Sequence, residues 1–298
     1  MDASALDRYR TLVDDWDAFS VACERPLPIV IRTNTLRTDP ARLERRLRAA
    51  GIGVTSIPWD EALFAVDRPV GNLIEHWLGL FYVQEAVQTL PVRMLDPQPH
   101  ETILDLCSAP GGKATQIAAR MRNTGTLVAN EPRGRRQQAL LANVNRLGVL
   151  NTLLPRYRGE SFPMQAAFDR ILVDAPCSAE GTLRKERSLR SGAARHAIER
   201  LARLQKRLIV RAFDLLRPGG VLVYSTCTFA PEENEAVVAH LLDRRSASIR
   251  PIDPPFQAAA GTIAWGGERF PDPVAGCLRV YPHHLDSGGG FVARIERS

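Results

Sequence analysis

Two cysteines lie in segments whose neighbours suit them to chemistry. Asp174-Ala175-Pro176-Cys177-Ser178-Ala179-Glu180-Gly181-Thr182 follows one short apolar run, and Ser225-Thr226-Cys227-Thr228 follows another. A lone thiol packs as a small hydrophobe. Two thiols at the ends of neighbouring strands, with Asp174 beside one, suit nucleophilic catalysis. Carbon 5 of a pyrimidine is a poor nucleophile. A thiolate that adds to carbon 6 makes carbon 5 enamine-like; methyl transfer, loss of the carbon 5 proton and elimination of the thiol then follow. Asp174 can hydrogen-bond the ring edge, and Lys113 can orient the base or raise the thiolate fraction. Residue chemistry alone leaves open which cysteine attacks.

A third segment, Leu104-Asp105-Leu106-Cys107-Ser108-Ala109-Pro110-Gly111-Gly112-Lys113, joins an apolar run to a helical one. In a doubly wound fold, ligands sit at this kind of strand-to-helix turn. Glu131, twenty residues after Gly111, is placed to accept hydrogen bonds from ribose hydroxyls. The turn is neither G-x-G-x-x-G nor a P-loop, because Lys113 is followed by Ala114. A cofactor with a ribose and no phosphate fits, which is S-adenosylmethionine.

The elements that must position these residues alternate from about residue 79 onward, the pattern of a parallel sheet. Strands are predicted at Thr102–Leu106, Thr126–Ala129, Thr152–Leu154, Arg170–Val173 and Val221–Ser225. Helices are predicted at Lys113–Met121, at Arg133–Leu147 with Gly148 as its stop, and along Ile198, Leu201, Leu204, Leu208, Ala212 and Leu215 until Pro218-Gly219-Gly220. Cys277–Tyr281 and Phe291–Ile295 read as a hairpin at the sheet edge. Residues 1–78 form a separate mixed pattern. Asp2–Cys23 reads as a helix, Ile29–Ile31 as a strand, and Gly53–Ile57 as another. Between them a helix starts at the Asp39 N-cap with Pro40 at N1 and ends at Gly51. The expected domains are 1–78 and 79–298.

Composition narrows the field. The chain has 298 residues, 45% hydrophobic and 24% charged, which is globular composition. No apolar run approaches the roughly 18 residues of a membrane span, and Met1–Arg10 lacks the features of a secretory signal. The five cysteines (23, 107, 177, 227, 277) include no C-x-x-C pair, which argues against a disulfide framework or a cysteine zinc site. Free thiols fit a cytoplasmic setting. Cys23, Cys107 and Cys277 read as packing thiols. His283-His284 lacks a second ligand cluster, so no metal is expected.

The net charge of +6 makes nucleic acid a candidate partner. Seven arginines (25, 32, 37, 42, 45, 46, 48) against Asp39 and Glu44 give a local +5, an expected RNA-facing patch. Of 39 basic side chains only Lys113, Lys185 and Lys206 are lysines, and two of these fall in or beside the motifs. Arg184 and Lys185 are expected to contact phosphate.

Taken together, these segments resemble the Sun-type (NSUN) RNA cytosine-5 methyltransferases over nearly the whole chain. The resemblance rests on Arg32-Thr33-Asn34-Thr35-Leu36, Phe81-Tyr82-Val83-Gln84-Glu85-Ala86, the cofactor turn and Ala129-Asn130-Glu131. It continues through the two cysteine motifs, Pro231-Glu232-Glu233-Asn234-Glu235 and Gly290-Phe291-Val292-Ala293. Ala22-Cys23-Glu24-Arg25-Pro26-Leu27 and Ile57-Pro58-Trp59 narrow it to the RsmF-type branch, whose members modify small-subunit ribosomal RNA.

The resemblance implies a Rossmann-like class I S-adenosylmethionine-dependent methyltransferase with a small α/β N-terminal domain. Its sheet has seven strands, the last antiparallel. Cys227 is implied as nucleophile and Cys177 as the group assisting release. Asp174 is implied to touch both cytosine and cofactor, and Lys113 to lie between them. Cys107, Ser108, Ala109, Pro110, Gly111, Gly112, Lys113 and Glu131 are implied to bind the cofactor, and Arg32 and Asn34 to bind RNA. The partner is ribosomal RNA or the small subunit, with transfer RNA as the alternative, and the protein is expected to be a monomer.

Two departures stand out. The position that carries an acid near the adenine in the family aligns with Arg158, and an arginine cannot accept the adenine amino hydrogen bond; Glu160 is the expected substitute. RsmF-type proteins also continue into an RNA-binding extension, whereas this sequence stops at Ser298. A DNA cytosine-5 methyltransferase would carry P-C-Q, and here Ser178 follows Cys177. A ribosome-binding factor without activity is the rival from another class.

Overall fold

Asp15 opens the first helix. Its carboxylate accepts the Ala18 amide, and α1 (Trp16–Glu24) follows. A computed structural model describes residues 6–163, 168–186, 188–189 and 192–298. Residues 1–5, part of the predicted Asp2–Cys23 helix, lie outside them. Asp7–Tyr9 forms one 3-10 turn instead of continuing that helix. Tertiary contacts override propensity here. Tyr9 is fully buried and donates to Glu180 Oε2 at 2.6 Å. Asp14 accepts from His283 and His284, whose Nε2 atoms lie 3.0 Å from its two oxygens. The Tyr281 amide donates to His284 Nδ1 at 3.2 Å, which places the neutral ring's proton on Nε2, facing Asp14. This clasp ties the N-terminal segment to the tail.

The small domain is a four-stranded antiparallel sheet. Its strands are β1 (Ile29–Thr33), β2 (Val54–Ser56), β3 (Leu63–Val66) and β4 (Phe81–Val83), in the order β2-β3-β1-β4. Helix α2 (Pro40–Ala49) begins as predicted, with Asp39 accepting the Arg42 amide at 2.8 Å. Its Leu43 and Leu47 are buried against Ile31, Phe64 and Phe81. A short helix, α3 (Ile74–Trp77), precedes β4. Because β4 pairs with β1, this sheet continues past residue 78.

After α4 (Leu90–Leu95), the large sheet is built from β5 (Thr102–Asp105), α5 (Gly112–Arg120), β6 (Thr126–Ala129), α6 (Gly134–Leu147), β7 (Thr152–Leu153), β8 (Phe168–Asp174), α7 (Arg195–Leu215) and β9 (Leu216–Thr226). These five strands are parallel, in the order β9-β8-β5-β6-β7. The order reverses at β5, so the crevice opens beside its carboxyl end. Helix α8 (Glu235–Arg244) leads to β10 (Ala247–Ile249), β11 (Ala259–Ala260), the β12 (Ala264–Trp265)–β13 (Glu268–Arg269) hairpin, β14 (Leu278–Val280) and β15 (Gly290–Arg297).

β14 and β15 form the predicted antiparallel hairpin, but β15 is not at the edge. It runs antiparallel beside β9, with β14 and β11 outside it. Pro218-Gly219-Gly220 does not separate helix from strand either. The helix ends at Leu215, β9 begins at once, and the ladder with β8 jumps from Phe168–Leu216 to Arg170–Val221, so residues 217–220 bulge out. One hydrophobic layer fills each face of the sheet. Leu106, Phe168, Leu208, Phe213 and Tyr224 lie on one side; Ile103, Ile117, Leu127, Leu140 and Val223 lie on the other.

Candidate active site

β5 ends at Asp105, and the turn to α5 is held from outside. Asn143 donates to Pro110 O at 2.9 Å, Arg136 to Ala109 O at 2.7 Å and Asn130 to Leu106 O at 3.0 Å. Gly111 sits at φ 106°, and a Cβ there would meet Leu140 Cδ1 at 2.9 Å. Only glycine takes that backbone at that approach. The turn borders a cavity of about 430 Å3 that runs from Glu131, Glu160 and Leu208 to Cys177 and Cys227.

At the first end, Glu131 is 2% exposed. Its Oε1 accepts the Arg133 amide at 2.9 Å, and Arg136 lies 3.3 Å from Oε2. Asp105 is fully buried, and neither of its carboxylate oxygens has a hydrogen-bond partner among the described residues. Burial, then the nearby Asp174 charge, push its pKa up to about 7. Cys107 lines the cavity as a thiol whose pKa burial raises well above the ordinary value. Ala109, Pro110 and Lys113 line it too, whereas Ser108, Gly111 and Gly112 do not. Ser108 instead donates to Asp105 O at 2.9 Å and braces the turn.

At the other end, the thiols of Cys177 and Cys227 lie 3.4 Å apart. The hydrogen bond with Cys227, then burial, raise the Cys177 pKa well above its ordinary value, so Cys177 is held as the thiol. The two cysteine loops are tied together beyond the sulfurs. Ser178 Oγ and Thr228 Oγ1 are 2.6 Å apart, and Gly181 N donates to Cys227 O at 2.9 Å. Buried Glu233 accepts the Ser178 amide at 3.0 Å and Gln205 Nε2 at 2.7 Å; Gln205 also donates to Pro176 O. Burial pushes the Glu233 pKa up to about 7.

Lys113 and Asp174 meet on the cavity wall. Lys113 Nζ donates to Asp174 Oδ2 at 2.8 Å and to Gln88 Oε1 at 2.7 Å, and Ser225 Oγ donates to Asp174 Oδ1 at 3.1 Å. Burial opposes the ammonium, yet Asp174 outweighs it and holds the Lys113 pKa above its ordinary value. The structure thus brings together the turn, Glu131, Lys113, Asp174, Cys177 and Cys227. Sequence reasoning missed Gln88, Arg136, Gln205 and the Glu233 brace. Two signals were available: Gln88 lies just beyond the quoted Phe81–Ala86 segment, and Glu233 lies inside the quoted Pro231–Glu235 segment.

Four assigned side chains are elsewhere. Arg32 is buried and donates to Gln84, to Gly112 O at 2.7 Å and to Thr115 Oγ1 at 2.9 Å, so it clamps the cofactor turn to the small sheet rather than facing RNA. Asn34 is buried and donates to Gly79 O and Leu147 O, each at 2.8 Å. The Arg184 side chain is fully enclosed and donates to Pro26 O at 2.7 Å, Ser287 O at 3.0 Å and Asp286 at 2.8 Å. Each has spent its donors inside the protein. Arg158 points to solvent, 81% exposed, and does not line the cavity; Glu160, 3.7 Å from it, does. Lys185 is exposed and lines the cavity mouth. Of the seven-arginine patch, Arg25, Arg46 and Arg48 pair with Asp286, Glu75 and Glu44. Arg37, Arg42 and Arg45 remain exposed without an ion pair among the described residues.

No helix among the described residues is long and apolar enough to cross a membrane, and none of the five cysteines is in a disulfide. Ribosomal RNA small subunit methyltransferase F of Klebsiella pneumoniae is 41% identical over 95% of this chain. The chain spans 60% of that relative's length. A tRNA (cytosine(49)-C(5))-methyltransferase of Pyrococcus abyssi is 37% identical, over 98% of this chain and 95% of that protein. The crystal structure of a methyltransferase homolog from Pyrococcus horikoshii superimposes with a TM-score of 0.85 at 31% identity, covering all of both chains. Residues 4–86 match the N-terminal domain of 16S rRNA methyltransferase RsmF. Residues 92–296, more than half of the chain, match 16S rRNA methyltransferase RsmB/F, and the chain belongs to that family.

Proposed function

We propose that this protein methylates carbon 5 of a cytosine in RNA, through a transient covalent bond from Cys227 to carbon 6 of the base. The observation that carries the reading is the thiol pair, 3.4 Å apart, in one cavity with the Lys113–Asp174 pair. Bound S-adenosylmethionine would supply an electrophilic methyl group. The residues present fit it. Behind the turn the buried Asp105 oxygens make no hydrogen bond to a described residue. The Glu131 carboxylate on the cavity wall has lone pairs to offer ribose hydroxyls beside its contacts with Arg133 and Arg136, and Glu160 rather than Arg158 lines the cavity. The turn from Cys107 to Lys113 would hold the cofactor beside them.

In this reading, Cys227 gives its electron pair to carbon 6, and the displaced pair is delocalised toward the ring edge that faces Asp174. Lys113 fixes Asp174 and offers an ammonium beside the negative charge that develops. After methylation, water takes the carbon 5 proton, and the pair from that carbon–hydrogen bond forms the 5,6 double bond. The sulfur–carbon 6 bond breaks with its pair going to Cys227, and the Cys177 thiol assists by donating a hydrogen bond to the departing sulfur. A cytosine can reach this crevice only when unpaired or flipped out of its stack. Lys185 at the mouth is the one assigned phosphate contact that remains. The substrate proposed is small-subunit rRNA, and the protein acts as a monomer in the cytoplasm. Transfer RNA is the second reading, favoured by the near full-length match to the Pyrococcus abyssi protein.

The test is a denaturing gel of Cys177→Ala incubated with S-adenosylmethionine and small-subunit rRNA, naked and assembled, and with tRNA. A slow RNA-linked band that disappears in the Cys177→Ala, Cys227→Ala double variant is expected. Absence of a band on all three substrates would sink the reading.

A further inference from the structure

A second cavity, of about 400 Å3, opens beside the first. Glu85, Gln88, Pro110, Lys113, Asp174 and Lys185 line both, so one runs into the other. The second leads away from the reacting atoms. Neither cysteine lines it, nor does Glu131; its far wall is Leu27, Pro28, Ile29, Tyr82 and Val83 of the small domain. We propose that this cavity is a subsite for the nucleotide next to the target cytosine, and that the small domain thereby reads the target's sequence context. The inference rests on the RNA-methylation reading above.

Three features point to a nucleotide. The first is continuity. A cytosine drawn into the first cavity stays bonded to its neighbours, which are carried to the mouth where the second cavity begins. The second is wall chemistry. Pro28, Ile29, Pro110 and Val83, the last 44% exposed, supply apolar faces against which a planar base packs. Exposed Lys185 stands at the shared mouth, where a backbone phosphate would pass.

The third is an open polar group in a fixed frame. The Tyr82 ring is fixed by the guanidinium carbons of Arg32 and Arg146, 5.5 and 5.8 Å from its centroid, and by Gly112, where a Cβ would meet its Cε1 at 2.9 Å. Its hydroxyl makes no hydrogen bond to any described residue. A rigid ring with an unused donor and acceptor is suited to reading a base edge. This also gives buried Arg32 a purpose: it locks the reading residue to the cofactor turn.

The test uses the whole protein with small-subunit rRNA and tRNA transcripts and S-adenosylmethionine labelled in the methyl group. The methylated cytosine is mapped, then placed in a synthetic stem-loop with an abasic nucleotide on either side in turn. Val83→Trp and, separately, Leu27→Trp fill the cavity. Both should lower kcat/KM at least tenfold while S-adenosylmethionine affinity by calorimetry stays unchanged. The wild type should lose a similar factor on one of the two abasic RNAs, and Val83→Trp should add no further loss there. Equal rates on both abasic RNAs and the intact one, or full activity of both variants, would overturn the proposal. So would weakened cofactor binding, which would assign the cavity to the cofactor. If the wild type methylates no RNA, the function itself fails, and that result is separate from a context effect.

Discussion

The sulfurs of Cys177 and Cys227 lie 3.4 Å apart although the residues are 50 positions apart in sequence. They meet because β8 and β9 are parallel neighbours, with Asp174 opposite Ser225, so their carboxyl-end loops leave side by side. Mild hydrogen peroxide should therefore join these two thiols before any others, since the remaining three are dispersed or enclosed. Peptide mapping under non-reducing conditions should find a Cys177–Cys227 link that dithiothreitol reverses, with activity lost and regained in step. A link involving Cys107 instead would mean that the two loops are not held as described.

Arg32 offers a direct contrast between structural and RNA-binding roles. Its removal takes the Arg32 donor from Gln84 Oε1 and Thr115 Oγ1 in a buried site. Arg32→Ala should cost about 2–4 kcal/mol of stability by denaturant titration, since a buried polar group left unsatisfied costs roughly 1–3 kcal/mol. The salt dependence of RNA binding should keep its slope. A slope lower by about 0.7 would assign Arg32 a phosphate contact.

Glu160 and Arg158 should separate on cofactor binding. Glu160→Ala should weaken S-adenosylmethionine roughly tenfold by calorimetry, about the worth of one charged hydrogen bond. Arg158→Ala should leave the affinity unchanged, because that side chain is at the surface. The reverse result would restore Arg158 to the site.

Glu233 makes stability depend on pH in a stated direction. Its folded pKa, pushed up to about 7 by burial, lies above the roughly 4.3 of an unfolded glutamate. Between those values the folded state holds a proton that the unfolded state releases, so stability falls as pH rises through this window. Below it the penalty is absent; above it the penalty is complete. Glu233→Gln should be flatter, gaining on the order of 1–3 kcal/mol relative to wild type between pH 5 and pH 8. Parallel thermal melts of the two proteins across that range would check it; curves that do not converge or cross would contradict it.

The large sheet was legible because its strands carry continuous apolar runs and its helices end on glycine, as at Gly148. The turn and both cysteine motifs were legible because each is local and directional. What braces them was not. Gln88 reaches Lys113 across 25 positions, and Glu233 reaches Ser178 across 55; no local pattern announces such a partner. The RNA-facing assignments of Arg32, Asn34 and Arg184 failed for one reason. A sequence shows that a donor exists and not whether backbone carbonyls consume it. β3 and β4 are only four and three residues long, too short for a periodic signal, and the Asp2–Cys23 helix was overruled by Tyr9 and Asp14, which bind residues more than 170 positions away.

β15, residues 290–297, is laid between β9 and β14, and Tyr281 and the two histidines clasp the N-terminal segment. During synthesis this interior strand therefore emerges after every other strand of its sheet. Until it does, β9 has a bare edge, and Tyr9 and Asp14 wait without their partners. Closure of the sheet beside Cys227 therefore waits for residues 290–297, however early the parallel strands have formed.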